Sequence, residues 1–533
     1  MTRPPLPPPP PSSGTVPSSP QAVATSPANA GGGVATVPPD RVDRAVEAGK
    51  GALFIGAAKV FFMLSGFVQQ VLLARLVNVA GVGAFGAVNS AISMVNNTVV
   101  QATIQGVSKF TAEDDSRTEA VKRTALGIQT LAGIIIALAF FLGAPLIAEF
   151  EKAPSYVPYY RIAAAIPLLY AVYAVFVGSV NGQRRFRAQA GFDMTFSSAK
   201  TVLLLGGAAV AGIAGAFAGF ALAALVIVVV AARVVGLPRL RTAGAAVFPA
   251  ARLGAFMLTI GGYNLLLNVE LLYDQPLLHH FAGLVDPTRG GVIAGHYQAL
   301  RTLALLPYQA LLVVTFVIFP LISRSTFAAD REATRAYVTQ TLRVALILAT
   351  AMGVALGARP AALIAILFRP EYQEGARALP ILVVGECCLA LLAVTCAILN
   401  AAGRPLAALC LMATTVLSGL GAAYVMVPGA ALGADMLMAM ALAAAGGMVL
   451  GFVLATTYVR VRLGGSVPAR TIVRVVLAAA VAVMVGRVLP GQGRVVGLAI
   501  TVLVAVVYFA MLVLLREFGP TDRAKFRKIL KRH

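Results

Sequence analysis

The residues best placed to do chemistry are five charges that interrupt otherwise apolar stretches of the chain. Lys59 and Arg301 are cations within such stretches, while Glu270, Asp274 and Glu386 are acids within them or at their edges. A charge held in hydrocarbon is costly, so it usually lines a water-filled path or a substrate site. Buried cations attract anions, and a buried acid can carry a proton or pair with a cation. The pattern predicts a polar interior suited to an anionic cargo.

The elements that must position these charges are membrane-spanning helices. Of the 533 residues, 59% are hydrophobic and 12% are charged, whereas soluble domains have about 25% charged residues. A helix needs about 20 apolar residues to cross a bilayer. The composition therefore predicts an all-α polytopic membrane protein with about fourteen transmembrane helices. The predicted spans are 51–74, 82–107, 124–147, 159–181, 193–213, 215–235, 252–274, 292–320, 340–362, 378–401, 405–427, 433–458, 471–489 and 495–515.

The net charge of +22 does not indicate a nucleic-acid partner, because the cations lie in short loops rather than in one basic domain. Alternate loops carry most of these cations, and the positive-inside rule places such loops in the cytoplasm. Both termini are then cytoplasmic, which requires an even number of spans. The basic loop residues are Lys109, Lys122, Arg123, Arg184, Arg185, Arg187, Arg233, Arg239, Arg241, Arg324, Arg331, Arg335, Arg460, Arg462 and Arg470.

Matching span ends indicate an internal repeat. Val107–Lys109 at the end of the second span resembles Ile322–Arg324 at the end of the eighth, and Val180–Arg184 in the fourth resembles Leu399–Arg404 in the tenth. Spans 1–6 and 7–12 are therefore predicted to be two six-helix bundles in the same orientation. Parallel repeats of this kind are related by a pseudo-two-fold axis along the membrane normal, with a substrate site between them.

Composition divides the rest of the chain. Residues 1–45 are rich in Pro, Ser, Ala and Gly, which predicts a disordered cytoplasmic tail; a docking role for Pro7–Pro11 is the alternative. The last segment is basic and amphipathic, which predicts a helix on the inner leaflet. The predicted divisions are 1–45 for the tail, 46–245 and 246–460 for the bundles, 461–515 for two extra helices and 516–533 for the basic tail.

Polar side chains near the interior charges are candidates for binding a cargo. Gln70 shares a face with Lys59, Asn97 and Gln101 belong to an amide stripe on the second span, and Asn268 belongs to one on the seventh. Such amides suit sugar hydroxyls or a hydrated cavity, and hydrogen bonding between helices is the alternative. Snorkelling is the alternative for Lys59, and the acids could be counter-ions, or in the case of Asp274 simply exposed.

The sequence contains no motif for catalysis, for ATP hydrolysis or for a metal site. His279, His280 and His296 lack a third ligand at zinc spacing. The four cysteines, at 387, 388, 396 and 410, fall in apolar segments and are read as buried free thiols. We therefore expect no enzyme activity, no metal and no cofactor.

Five short motifs follow one another along the chain: Ala74–Val77, Gly81–Gly86, Asn181–Phe186, Ala294–Ala299 and Phe319–Arg324. Together they resemble the lipid-linked oligosaccharide and polysaccharide flippases of the MOP (multidrug/oligosaccharidyl-lipid/polysaccharide) superfamily, and the resemblance covers about residues 50–515. It implies a flippase that moves an undecaprenyl-pyrophosphate-linked oligosaccharide to the periplasmic leaflet of a bacterial inner membrane by alternating access. The product would be a cell-surface polysaccharide such as the O-antigen of lipopolysaccharide.

The resemblance also implies roles for the interior residues. Lys59 and Arg301 lie on spans where the related lipid II flippases carry cavity cations, so they are expected to hold the pyrophosphate. Glu270, Asp274 and Glu386 would couple transport to Na⁺, to H⁺ or to the membrane potential, or would be counter-ions. Implied partners are the lipid-linked glycan, membrane lipids and proteins of polysaccharide synthesis and polymerisation. A lipid II flippase, a cation-coupled multidrug antiporter and a non-transporting scaffold remain alternatives.

Overall fold

The computed structural model describes residues 39–238, 248–312, 331–490 and 493–519, and of these the side chains of 39–55, 115 and 494 are not described. The chain divides into two units, Met1–Lys50 and Gly51–His533, and all packing described below lies within the second. The described residues form sixteen α-helices and no β-strand. The helices are α1 Pro39–Leu76, α2 Val79–Glu113, α3 Thr118–Phe150, α4 Val157–Ala163, α5 Ala165–Gly182, α6 Phe186–Val235, α7 Ala250–Leu272, α8 Asp274–Val285, α9 Gly290–Ala304, α10 Arg331–Gly357, α11 Pro360–Leu367, α12 Leu379–Ala401, α13 Pro405–Met426, α14 Ala434–Leu463, α15 Ala469–Val488 and α16 Arg494–Leu514.

Twelve helices in the described part are long and apolar enough to cross a membrane. These twelve contain thirteen of the predicted spans, because α6 holds both the fifth and the sixth. The eighth predicted span, 292–320, begins as α9 and continues into 313–330, which lie outside the described residues. The prediction of an all-α polytopic membrane protein is confirmed.

The turn inside α6 explains how two spans fit into 50 residues. Ala211 and Gly212 leave the helical conformation, and Gly212 adopts a φ of 59°, which a residue without a β-carbon tolerates best. The two halves then pack backbone against backbone: a β-carbon on Gly207 would lie 2.0 Å from the carbonyl oxygen of Gly215. Small residues at helix contacts allow this close approach in membranes.

Helices α1–α6 and α7–α14 are called the N-terminal and C-terminal bundles below. Helix α2 joins the two sets, because it packs on α5 of the first and on α7 and α9 of the second. The core of the N-terminal bundle includes Phe85 of α2, whose ring stacks on that of Phe217 at 5.0 Å. Residue 245, the predicted boundary of the bundles, lies outside the described residues, as do nearly all of the predicted tails, so these divisions stay predictions.

The last two helices, α15 and α16, are tied to the C-terminal bundle by Glu517. Its carboxylate accepts hydrogen bonds from Arg343 of α10 at 2.7 Å, from the Thr471 hydroxyl at 2.7 Å and from Arg474 at 3.1 Å. Burial raises the pKa of Glu517, but these hydrogen bonds outweigh it and hold the pKa below its usual value. The network joins the middle of α10 to the start of α15 and to the residues that follow α16.

Candidate functional site

The C-terminal bundle buries a cluster of four charges, on four helices. Arg301 and Asp274 are 3% and 1% exposed, and Glu270 and Glu386 are buried equally deeply. Arg301 Nε lies 3.2 Å from Asp274 Oδ2, and the Tyr297 hydroxyl donates to the same oxygen at 2.9 Å. Asp274 is therefore a buried partner of Arg301, as one interpretation of the sequence proposed, and not an exposed residue at the outer mouth.

A break between α7 and α8 creates this contact. The predicted seventh span continued to residue 274, but α7 ends at Leu272 and α8 begins at Asp274. At the first position of α8, the carboxylate benefits from the positive end of the helix dipole and accepts the backbone N–H of Gln275 at 2.9 Å. The break thus turns Asp274 toward α9, where Tyr297 and Arg301 lie one helical turn apart.

Glu270 of α7 and Glu386 of α12 are buried without a hydrogen-bond partner for either carboxylate oxygen among the described residues. Both interact electrostatically with Arg301 and Asp274. Three ionised acids and one guanidinium would leave a net charge of −2, and unpaired buried charges are strongly disfavoured. In that state Arg301 would balance only one of the three acids. Within the described part of the chain, no three His, Cys, Asp or Glu side chains form a metal-binding group.

Lys59, the predicted cation of the N-terminal bundle, has an acidic partner that sequence reasoning missed. Its Nζ lies 2.8 Å from Asp193 Oδ2 of α6, and its side chain is 38% exposed. Asp193 begins the predicted fifth span, so its position at the edge of an apolar run was an available signal. Lys59 and Arg301 thus each pair with an acid of their own bundle, and these contacts do not test whether the two cations face each other across a cleft.

Sequence reasoning also missed Lys200 as a candidate interior charge, although it lies in the middle of the predicted fifth span. Its Nζ lies 4.2 Å from the ring centroid of Phe220, and none of the ion pairs found among the described residues includes it. Fourteen residues of α6 precede it, which at 1.5 Å per residue is about 21 Å along the helix. The signal that identified Lys59, a charge inside an apolar run, would have identified Lys200 as well.

The predicted amides divide into two groups. Asn97 and Gln101 are exposed on α2, one turn apart, so they do not serve mainly as hydrogen-bonding contacts between packed helices. Gln70 is half-buried on α1. Asn268 is buried and donates to the carbonyl oxygen of Asn264 at 2.8 Å, within its own helix. The stripe on α2 is therefore the more accessible of the two.

The two bundles touch closely at the outer end, the end that the positive-inside rule places away from the cytoplasm. A β-carbon on Gly83 of α2 would lie 1.9 Å from the carbonyl oxygen of Gly291, and one on Gly295 of α9 would lie 2.0 Å from that of Val79. Near this contact, Arg75 donates to two carbonyls at the end of α11. The structure is closed at this end.

Replacing Gly83 by Ala is expected to open the outer end, because an ordinary carbon–oxygen contact needs about 3.3 Å. Spin labels at the exposed positions Ser155 and Gly429, in a cysteine-free background, should then report longer distances. Gly127→Ala is the matched control, since a β-carbon there meets nothing within 4 Å. Identical distance distributions for Gly83→Ala and the unsubstituted protein would contradict the expected opening.

Comparison with known proteins identifies the family of the chain. Residues 48–326, just over half of the chain, match the family model described as "Polysaccharide biosynthesis protein". No curated protein matches the chain by sequence.

Three solved structures share the fold. The lipid II flippase MurJ, in an inward closed conformation, has a TM-score of 0.70 at 13% identity, over 87% of this chain and 99% of that chain. An inward-facing multidrug resistance MATE family transporter scores 0.63 at 16% identity, over 78% and 98%. A MOP superfamily transporter from Pyrococcus furiosus scores 0.57 at 16% identity, over 78% and 96%. The chain is a multi-pass membrane protein with the fold of MOP transporters, and it belongs to the polysaccharide biosynthesis protein family.

Proposed function

We propose that this protein flips a lipid-linked oligosaccharide, with an undecaprenyl-pyrophosphate carrier, from the cytoplasmic to the periplasmic leaflet for cell-surface polysaccharide synthesis. The observation that carries the proposal is the family match together with a cation inside a helix of each bundle, Lys59 in the spanning helix α1 and Arg301 in α9. A diphosphate is the part of such a substrate that needs cations, and its sugars need hydrogen-bonding groups. No residue set for catalysis is invoked.

The binding step follows from where the polar side chains lie. Lys59 is accessible enough to contact the diphosphate, and the exposed amides Asn97 and Gln101, with Gln70 of α1 and Asn268 of α7, would contact the glycan. Arg301 would reach the diphosphate only by exchanging its contact with Asp274, so substrate and carboxylate would compete for it.

This competition offers a coupling mechanism. A proton or cation taken up by Glu270 or Glu386 reduces the negative charge around Arg301 and Asp274, which favours approach of an anion to the arginine. The membrane potential favours outward movement of the anion, since an anion leaving an inside-negative cell gains about 2.3 kcal/mol per charge per 100 mV. Imposing an H⁺ gradient, a Na⁺ gradient or a potential on reconstituted vesicles, each in turn, shows which of the three speeds flipping.

The cellular setting is part of the same proposal. The protein would lie in a bacterial inner membrane with both termini in the cytoplasm, next to proteins that synthesise and polymerise the glycan. An O-antigen intermediate of lipopolysaccharide is one substrate of the proposed class. The polyprenyl chain would stay in the lipid while the head group crosses.

Two other functions would use the same fold. One is lipid II flipping, the function named for one structural neighbour. The other is cation-coupled multidrug antiport; a second neighbour is a multidrug resistance transporter, and the three buried acids of the C-terminal bundle favour this function because a cationic drug would compete there with protons. The exposed Lys59 at the proposed site disfavours a cationic cargo.

Reconstitution in vesicles tests the proposal. The protein should expose a fluorescent lipid-linked oligosaccharide on the opposite leaflet, while proton-driven efflux of a cationic dye should be absent. Lys59→Met should reduce flipping at least tenfold, Lys59→Arg should keep it, and Arg462→Met should leave it unchanged because Arg462 is exposed at the end of α14. Dye efflux without flipping would overturn the proposal in favour of the antiporter.

A further inference from the structure

Three charged side chains lie along the surface where α6 packs on α1: Asp193 and Lys200 of α6, and Lys59 of α1. Asp193 and Lys200 are seven residues apart, which places them two turns apart on the same side of the helix, at about 10.5 Å. Between them α1 packs alongside: the rings of Phe62 and Phe196 stack, and the Ser65 and Thr201 hydroxyls are 2.9 Å apart. With Lys59 bound to Asp193, this face holds two cations and one acid.

The charges of this face do not cancel. Lys59 and Asp193 form a neutral pair at 2.8 Å, so Lys200 is the cation left without an acid among the described residues. The C-terminal bundle has the opposite imbalance, with three carboxylates around Arg301. An anion near this α1–α6 face is therefore attracted to it, whereas one near the acids around Arg301 is repelled.

The surroundings of Lys200 stabilise its charge only in part. Its ammonium group lies over the Phe220 ring, and Tyr170 packs edge-on against both Phe220 and Phe196. A cation–π contact is weaker than a charge-assisted hydrogen bond to an anion. A lysine held in the middle of a membrane by aromatic contacts is thus poised to accept an anionic oxygen.

We propose that Lys200, rather than Arg301, is the principal partner of Lys59 in binding the anionic group of the substrate, with the diphosphate of a lipid-linked sugar seated along the α1–α6 face. The proposal rests on the proposed function for the identity of the anion. It assigns Lys200 to substrate recognition, and it makes Asp193 a residue that restrains Lys59 until the anion displaces it.

Binding of a polyprenyl diphosphate, compared with the uncharged polyprenol of equal length, tests the assignment without transport. In the purified protein, Lys200→Gln should weaken diphosphate binding at least tenfold and leave polyprenol binding unchanged, and Lys200→Arg should restore it. Asp193→Asn should tighten diphosphate binding, because it frees Lys59. Lys109→Met is the matched control, since it removes a lysine that lies 4.1 Å over the Phe256 ring and is exposed.

The outcomes separate the two proposals. A wild-type protein that binds diphosphate no better than polyprenol would overturn the proposed function. A wild-type preference that survives in Lys200→Gln, or one lost equally in Lys109→Met, would overturn the role of Lys200 alone. Binding is measured on the monodisperse fraction from size exclusion, so a loss of fold in Lys200→Gln is removed from the comparison with Lys200→Arg.

Discussion

Arg301→Met is expected to lower the free energy of unfolding by about 3–5 kcal/mol, the cost of removing one partner from a buried ion pair. The substitution leaves Asp274 without its guanidinium and places it beside Glu270 and Glu386, both already without hydrogen-bond partners among the described residues. Methionine fills similar space, so the loss is mainly electrostatic. Thermal unfolding in detergent, followed by circular dichroism, measures it.

A second substitution shows whether the loss comes from the stranded carboxylate. Arg301→Met combined with Asp274→Asn should recover at least half of the lost stability, because the amide carries no charge and can still accept from Tyr297. Arg252→Met is the matched control: Arg252 pairs with Glu113 at 3.3 Å, but both side chains are exposed, and such pairs contribute about 0–1 kcal/mol. Equal effects of Arg301→Met and Arg252→Met would contradict the expectation.

The double variant also separates structure from transport. If Arg301 only neutralises the acids, the variant with Asp274→Asn should fold and flip the lipid-linked substrate. If Arg301 also binds the diphosphate, it should fold and fail to flip. Competition between Asp274 and the diphosphate for Arg301 predicts the second outcome, whereas Lys200 as the principal partner of Lys59 predicts the first.

Hydropathy predicted the spans well because each depends on local composition alone. The apolar runs at 193–213 and 215–235 gave two spans, and α6 indeed reverses at Gly212, near the end of the first run. Hydropathy does not predict the break before Asp274, because the predicted span continues through residue 272 without interruption. The contacts that stabilise Asp274 come from Tyr297 and Arg301, which follow later in the chain.

The candidate site was predicted residue by residue but not pair by pair. A charge in an apolar run is visible in the sequence, which is why Lys59 and Arg301 were found and why Lys200 could have been. Their partners depend on which helices pack together, and Asp193 faces Lys59 only because α1 lies along α6. The contact of Gly83 with Gly291 likewise depends on tertiary packing, since glycines are common along the chain.

A buried acid at the outer end links the bundles and should make their closure depend on pH. Glu151 lies between α3 and α4; its carboxylate accepts from the Tyr160 hydroxyl at 2.8 Å, and its other oxygen has no partner among the described residues. Its carbonyl oxygen accepts from His279 Nδ1 of α8 at 2.8 Å, and His279 Nε2 accepts from the Tyr156 hydroxyl at 2.9 Å. His280 donates to the neighbouring carbonyl of Phe150. A titratable network therefore joins the α3–α4 connection to α8.

The direction of the pH effect follows from the two groups outside the spans. Burial raises the pKa of Glu151 from 4.5 to about 8, against the hydrogen bond from Tyr160, and burial lowers the pKa of His279 from 6.5. Opening the outer end would hydrate both groups and return them toward their ordinary values. The protonated Glu151 then favours the closed state fully below pH 4.5, and this preference is lost as pH rises through 8. His279 opposes it only below 6.5, where the open state binds the extra proton.

The outer end should therefore open as pH rises from 6.5 to about 8. Over this window of about 1.5 units, the free energy by which Glu151 favours the closed state falls by about 2 kcal/mol, at 1.36 kcal/mol per unit. Distances between labels at Ser155 and Gly429, followed from about pH 6 to about pH 9, measure the shift. Glu151→Gln should hold the end closed across this range, because the amide stays neutral, whereas Glu149→Gln, at an exposed position, should behave like the unsubstituted protein. A pH-dependent opening that persists in Glu151→Gln would show that another group controls it.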